Sequence, residues 1–199
     1  MITSFVLIVI VILAGFYLYN NREIKVQENQ SITASSPSIK PMAEPQIKIP
    51  EDWIPYTSKK YGFTIYHPAD FQTDTNPEGD RLIKLGPTQS TGTELYDGLV
   101  LMIKSGPLDG KTIRQFADAQ HLEMKNAETT QSITDVIEKK YGTHTAFQFR
   151  KDSLGEGDFI YLQKSPTEYL EVINMTYEPE NSSSDFIKTA EIMISSLEF

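Results

Sequence analysis

The segment Ser105–Thr112, Ser-Gly-Pro-Leu-Asp-Gly-Lys-Thr, contains the residue types of a phosphate-binding loop. Such a loop has four residues between its two glycines, so that backbone N–H groups can enclose the phosphates. Here three residues separate Gly106 from Gly110, which makes the loop one residue too short. Pro107 has no N–H to donate, and Asp109 would repel a phosphate. We therefore predict that this segment binds no nucleotide.

The same segment has a structural interpretation. Thr112 and Gln115 have the spacing of a capping box, in which each side chain hydrogen-bonds to the backbone N–H of the other residue at the start of a helix. The pattern predicts a helix from Thr112 to about Met124. The turn into this helix is predicted to be formed by three residues, Gly106, Pro107 and Gly110.

The three histidines share no metal-binding spacing. His67 alternates in phase with Phe63 and Ile65, so we predict that it lies at the edge of the core; a role as a ligand or base is the alternative. For His121 and His144 we expect positions on the surface.

Other candidate sites are weak. Asp152–Asp158 is acidic but lacks the spacing of a calcium loop, and its two glycines favour a hairpin connection. Asn174 and Asn181 begin glycosylation sequons by letter only. The chain has no cysteine, which excludes thiol catalysis, cysteine metal sites and disulfides. We predict no catalytic, cofactor-binding or metal-binding residues and no enzyme activity.

The distribution of charge argues against two classes of partner. The whole chain has a formal net charge of −9, and residues 51–199 hold 14 basic and 24 acidic side chains, a net charge of −10. A domain this acidic repels phosphate backbones and anionic head groups. We therefore expect that the domain does not bind nucleic acid.

The beginning of the chain predicts a membrane anchor. Ile2–Tyr19 is an uncharged, mostly apolar run that, as a helix at about 1.5 Å per residue, approaches the thickness of a hydrocarbon core. We assign residues 1–20 to a transmembrane anchor, with a cleaved signal sequence as the alternative. Residues 21–50, which contain several prolines and serines, are predicted to be a flexible linker, and residues 51–199 the folded domain.

The domain alternates strands and helices in a pattern that predicts an α+β fold with an antiparallel sheet. A second helix is predicted over about Ser183–Ser195. Aromatic residues in Ala146–Phe149 and Phe159–Leu162 are predicted to lie in the core and not to form a ligand platform. Eight strands are predicted, over 61–68, 80–86, 96–106, 131–138, 143–151, 158–164, 169–177 and 197–199.

Both ends of the domain resemble the PsbP-like family. Trp53-Ile-Pro-Tyr-Thr-Ser is followed by Tyr61-Gly-Phe-Thr-Ile-Tyr-His-Pro-Ala-Asp-Phe71, and the chain finishes with Ile194-Ser-Ser-Leu-Glu-Phe199. His67 stands where that family usually has an aromatic residue. The resemblance implies an α/β/α sandwich around a central antiparallel sheet and a non-catalytic role in binding or assembly. It supplies no active site that can be carried over.

Together these observations predict a membrane-tethered, extracytoplasmic binding or assembly domain on a single-pass anchor. Its expected partner is a protein or envelope component, bound without a nucleotide or cofactor. An enzyme or ion-binding module with a loop cleft near His67 is the alternative, and a purely structural envelope component is a third possibility.

Overall fold

The computed structural model of the chain describes residues 48–152, 157–180 and 185–199. The predicted anchor and almost all of the predicted linker lie outside these ranges. None of the helices within them is both long enough and apolar enough to cross a lipid bilayer.

The strands of the described residues form one large antiparallel sheet and one hairpin. The hairpin pairs β1 with β2, and the sheet has the order β3-β4-β5-β10-β9-β8-β6, with β7 also paired to β8. The strands are β1 Ile54–Ser58, β2 Phe63–His67, β3 Gln72–Asn76, β4 Gly79–Leu85, β5 Gly98–Pro107, β6 Ser132–Ile133, β7 Ile137–Tyr141, β8 His144–Asp152, β9 Gly157–Gln163 and β10 Glu168–Tyr177.

One face of the sheet, called the closed face here, carries the larger core. Leu82, Leu101 and Ile160 are fully buried there, and they alternate along their strands with residues that point to the opposite face. Helix α2 (Phe186–Ser195) packs on this face together with the β1–β2 hairpin. Trp53 packs against the same core.

The opposite face carries helix α1 (Ile113–Lys125), which packs against β8 and β9. Phe116 of α1 stacks on Tyr169 with a centroid separation of 4.2 Å and meets Tyr161 edge to face. Phe149 is buried beneath the helix. The two helices therefore lie on opposite faces of the sheet, which agrees with the predicted mixed α+β fold and its central antiparallel sheet.

The end of the chain holds the hairpin to the closed face. Thr64 and Glu198 exchange two backbone hydrogen bonds of 2.8 and 2.9 Å. The Ser196 hydroxyl accepts a hydrogen bond from the backbone N–H of Tyr66 at 2.9 Å. The predicted final strand, 197–199, is thus a single bridge to β2.

One further strand prediction needs correction, and two strands were not predicted. The region predicted as one strand over 131–138 consists of β6 and β7, which pair with the two ends of β8. Strand β3 was not predicted, because Gln72–Asn76 is entirely polar and has no apolar alternation. Strand β1 was not predicted either, and it contains Pro55, a residue confined to sheet edges because it cannot donate to a ladder.

Candidate binding surface

The predicted helix start at Thr112 is present. The Thr112 hydroxyl accepts a hydrogen bond from the N–H of Gln115 at 3.2 Å, and the Gln115 side chain accepts one from the N–H of Thr112 at 3.0 Å. The turn differs from its prediction, because Gly106 and Pro107 are the last residues of β5. The turn itself is formed around Asp109 and Gly110, which both have positive φ. The segment is a strand end followed by a capped helix.

Gly106 is needed in β5 for a packing reason. A Cβ atom at this position would lie 2.8 Å from the hydroxyl oxygen of Tyr169, on the neighbouring strand. This glycine therefore makes room for an aromatic side chain, which is a different role from enclosing a phosphate.

His67 is buried at the last position of β2, consistent with its predicted place at the edge of the core. It is 3% exposed, and its Nδ1 donates a hydrogen bond to the carbonyl of Pro68 at 2.7 Å. Its ring lies against Phe71. These contacts bury the His67 ring, so it does not line a solvent-facing cleft in which it could act as a base or ligand.

The other two histidines are half-buried, which corrects the prediction that both lie on the surface. His121 lies on the inner side of α1 with its ring edge to face on Phe149. The ring of His144 stacks on Phe199, and its Nε2 donates to the carbonyl of Leu197 at 2.9 Å. Both rings pack against aromatic side chains. The hydrophobic periodicity gave no sign of this for His144, because His144 is the first residue of its strand.

The remaining candidate sites are structural within the described residues. The acidic segment joins β8 to β9, which pair as a hairpin, although residues 153–156 lie outside the described ranges. Asn174 is half-buried in β10 and donates to Asp158 at 3.4 Å; Asn181 is not described. Among the described residues, no three histidine, aspartate or glutamate side chains are grouped so that they could hold a metal ion.

The most distinctive surface is an apolar area beside α1. Direct cross-strand neighbours share one face of a sheet, and two such rows cross β4, β5 and β10: Ile83–Val100–Met175 and Arg81–Met102–Ile173. The second row continues into Phe159 and Phe149, which lie beneath α1. The apolar members of both rows are half-buried, and Leu85 is 53% exposed. This surface, called the open face below, consists of Ile83, Leu85, Val100, Met102, Ile173 and Met175.

Two ion pairs lie beside the open face, and they differ in burial. Lys104 Nζ lies 2.7 Å from Oε2 of Glu171, whose side chain is 5% exposed. Burial alone would lower the pKa of Lys104, but its contact with the Glu171 carboxylate outweighs burial and raises the pKa. The pair of Arg81 with Asp74 lies near the edge of the sheet and is 39% and 46% exposed.

Three exposed glutamates lie on elements that border the open face. Burial raises the pKa of Tyr161 most, and the charge of Glu171 raises it further. Glu123 is exposed on α1, the helix that lies beside the open face. Glu94 and Glu180 lie in the segments that follow β4 and β10 at one end of the face. All three border glutamates are exposed, and within the described ranges no lysine or arginine forms an ion pair with them.

The sequence contained a signal for the open face that the prediction did not use. Leu99–Ile103 is an unbroken apolar run, so β5 must be apolar on both faces. Ile173 and Met175 show the same feature in β10. The sequence predicts two helices, one after β5 and one at the end of the chain. Two helices are too few to cover a sheet whose central strands are apolar on both faces.

Comparison with known proteins gives a likeness among solved structures alone. No family model matches the chain, and no curated protein matches it. Among solved structures, the chain is similar to the solution structure of cyanobacterial PsbP (CyanoP) from Synechocystis sp. PCC 6803. The TM-score is 0.45 at 11% sequence identity, and the likeness covers 80% of this chain and 99% of the other. This solved structure carries the family name to which the two end motifs pointed.

Proposed function

We propose that this protein is a non-catalytic binding or assembly domain, tethered to a membrane on its extracytoplasmic side, and that it binds a protein partner through the open face. The observation that carries the proposal is the apolar area over β4, β5 and β10, which α1 does not cover and over which no other described helix lies. Contiguous apolar surface bordered by polar residues is typical of interaction sites.

The composition of the open face supports binding over a purely structural role. Met102 and Met175 are flexible, polarisable side chains that adapt to different partners, and methionine is enriched at binding surfaces. The two flanking ion pairs lie at its sides and not in its centre, so binding would not strip water from an isolated charge.

The predicted tether supports the membrane part of the proposal. A linker of about 30 residues would let the domain search some tens of ångströms around its anchor, on a random-coil estimate of roughly 5–6 Å × √n. Tethering raises the effective concentration of a weak binder near partners in the same membrane. The terminal motifs that resemble the PsbP-like family support a binding role and an extracytoplasmic location.

Photo-crosslinking in intact cells tests the binding surface. A benzophenone amino acid replaces Val100 of the open face in the full chain, and a matched chain carries it at Ile137, which is 51% exposed on β7 near the opposite edge of the sheet. We expect one discrete crosslinked product from position 100 and none from position 137. Equal labelling at both positions, or none at position 100, would contradict the proposed surface.

Protease treatment of intact cells tests the location separately. We expect the domain to be degraded before lysis, because the proposal places it outside the cytoplasm. A domain that survives until lysis would contradict the orientation but leave the binding surface standing.

A further inference from the structure

We infer that the open face receives an amphipathic helix of a protein partner, with an apolar stripe toward the sheet and basic side chains along its flanks. The inference rests on the proposed function and specifies what that surface binds. It depends on three observations: the width of the uncovered area, the way α1 already covers its neighbour, and the charge of the border.

The uncovered area has the width of one helix. Strands in a sheet lie about 4.8 Å apart, so β4, β5 and β10 span about 10 Å from the first to the third. A helix with its side chains is about 10 Å in diameter. A single helix would therefore cover the two apolar rows of the open face.

The neighbouring strands show how this face is covered within the chain. Apolar and aromatic side chains of β8 and β9 lie under α1, and the row Met102–Ile173–Phe159–Phe149 runs without interruption from the open face to the covered part. A second helix beside α1 would continue the same layer. On the closed face, α2 and the β1–β2 hairpin already provide two covering elements.

A partner strand that adds to the edge of the sheet is a weaker candidate than a helix. It would pair with β3, whose residues Gln72–Asn76 are all polar and lie at the edge of the sheet, and it would leave the apolar rows of β5 and β10 uncovered. A helix covers those rows directly, because its apolar side chains at i, i+3, i+4 and i+7 form one stripe.

The charge of the border indicates which side chains the partner helix carries on its flanks. The cations Arg81 and Lys104 are already paired with Asp74 and Glu171, whereas Glu94, Glu123 and Glu180 are exposed around the face. Two like-charged surfaces would repel each other, so a second copy of this acidic domain is disfavoured. Lysine or arginine on the flanks of the occupant complements the border.

The experiment maps the crosslinked partner residues. The benzophenone amino acid is placed in turn at Ile83, Val100 and Met175 of the full chain in intact cells, and mass spectrometry locates each attachment site on the partner. We expect sites three or four residues apart in one partner segment, with lysine or arginine on the sides of that segment. Unchanged Trp53 fluorescence of each purified chain serves as the check that the domain is folded.

A charge reversal tests the flanks. Changing Glu94, Glu123 and Glu180 to lysine is expected to lower the crosslinking yield at Val100 by about fivefold or more. The matched control reverses three exposed acids near the opposite edge of the sheet, Glu128, Asp135 and Glu138. We expect this control to keep most of the yield.

The outcomes separate the inference from the proposed function. Attachment sites that alternate every second residue indicate a strand, and attachment to this chain itself indicates a second copy or residues 1–47; both overturn the helix but retain a binding face. Equal losses in the two charge-reversed chains overturn the basic flanks. The absence of any crosslink from all three positions would overturn the proposed function as well.

Discussion

The two faces of the central sheet are built from the same strands, yet they differ in how they are covered. On β5, Leu101 points to the closed face and is fully buried, while its neighbour Val100 points to the open face and is half-buried. The closed face is sealed by α2, the hairpin and the last residues of the chain. Among the described residues, α1 is the one helix that covers the other face. The comparison indicates that the closed face contributes most of the core, whereas the open face keeps apolar side chains partly accessible.

The largest expected effect compares adjacent residues on the two faces. Leu101→Ala should lower the free energy of unfolding by about 2–5 kcal/mol, because it leaves a cavity in a fully packed core. Val100→Ala should cost less than about 1 kcal/mol, because that side chain is already partly hydrated. Urea unfolding of the purified full chain, followed by the fluorescence of its single tryptophan, Trp53, measures both.

The same test on β10 is the control. Val172 lies on the closed face and Ile173 on the open face, and alanine at each position should reproduce the difference. Similar costs for both members of either pair would contradict the division of the sheet into a stabilising and an available face.

The two ion pairs beside the open face differ in a way that mutation can measure. Lys104→Met leaves the buried Glu171 carboxylate without its cation and should cost about 1–2 kcal/mol, less than for a fully buried pair because Lys104 is 39% exposed. Arg81→Met breaks an exposed pair and should cost about 0.5 kcal/mol or less. If the order of the two costs were reversed, burial would not be what distinguishes these pairs.

The helix start gives a smaller effect. Thr112→Ala removes one half of the capping box and should lower the free energy of unfolding by about 1 kcal/mol. Lys111→Ala should have almost no effect, because Lys111 is exposed and lies before the cap. A measurable ATP affinity that is lost in the Lys111 variant would overturn the structural interpretation of Ser105–Thr112.

A small effect at neutral pH is expected for Tyr161→Phe. The Tyr161 hydroxyl is buried beside the Glu171 carboxylate without a well-formed hydrogen bond to it, so its removal should change stability by about 0.5 kcal/mol or less. The consequence appears in alkali. Burial and the Glu171 charge raise the pKa of Tyr161 in the folded state, so stability is fully present below the unfolded pKa of about 10 and is lost as the pH rises above it.

The measurement for Tyr161 is the free energy of unfolding at several pH values between neutral and strongly alkaline. Phenylalanine at this position should make the decline above about pH 10 shallower, because one group that resists ionisation in the folded state has been removed. An unchanged decline would mean that other groups dominate it, of which Tyr141 and Lys104 also have raised pKa values.

Much of the fold was predictable because its strands alternate clearly. In β2, Phe63, Ile65 and His67 are buried and the residues between them are half-buried, as the period of two indicates. Strand β3 could not be predicted, because it has no apolar face and depends on hydrogen bonds to β4. The glycine and proline of Ser105–Thr112 suggested a turn, whereas the pairing of β5 with β10 extends the strand through both.

The open face was less predictable than the core. The capping box identified where α1 begins, but the sequence did not indicate which strands the helix would cover. That choice depends on the order of strands in the sheet, which is set by long-range pairing. Because β10 lies between β5 and β9, a helix that packs on β8 and β9 does not reach the open face of β4 and β5.

The central position of β10 also determines when the sheet can form. Strands β3, β4 and β5 make one half of the sheet and β8 and β9 belong to the other, and β10 is the strand that joins them. Its pairs with β5 link residues as far apart as Gly98 and Tyr177. Because closing long loops slows folding, we expect β10 to pair with β5 late, after the local hairpins of β3 with β4 and of β8 with β9.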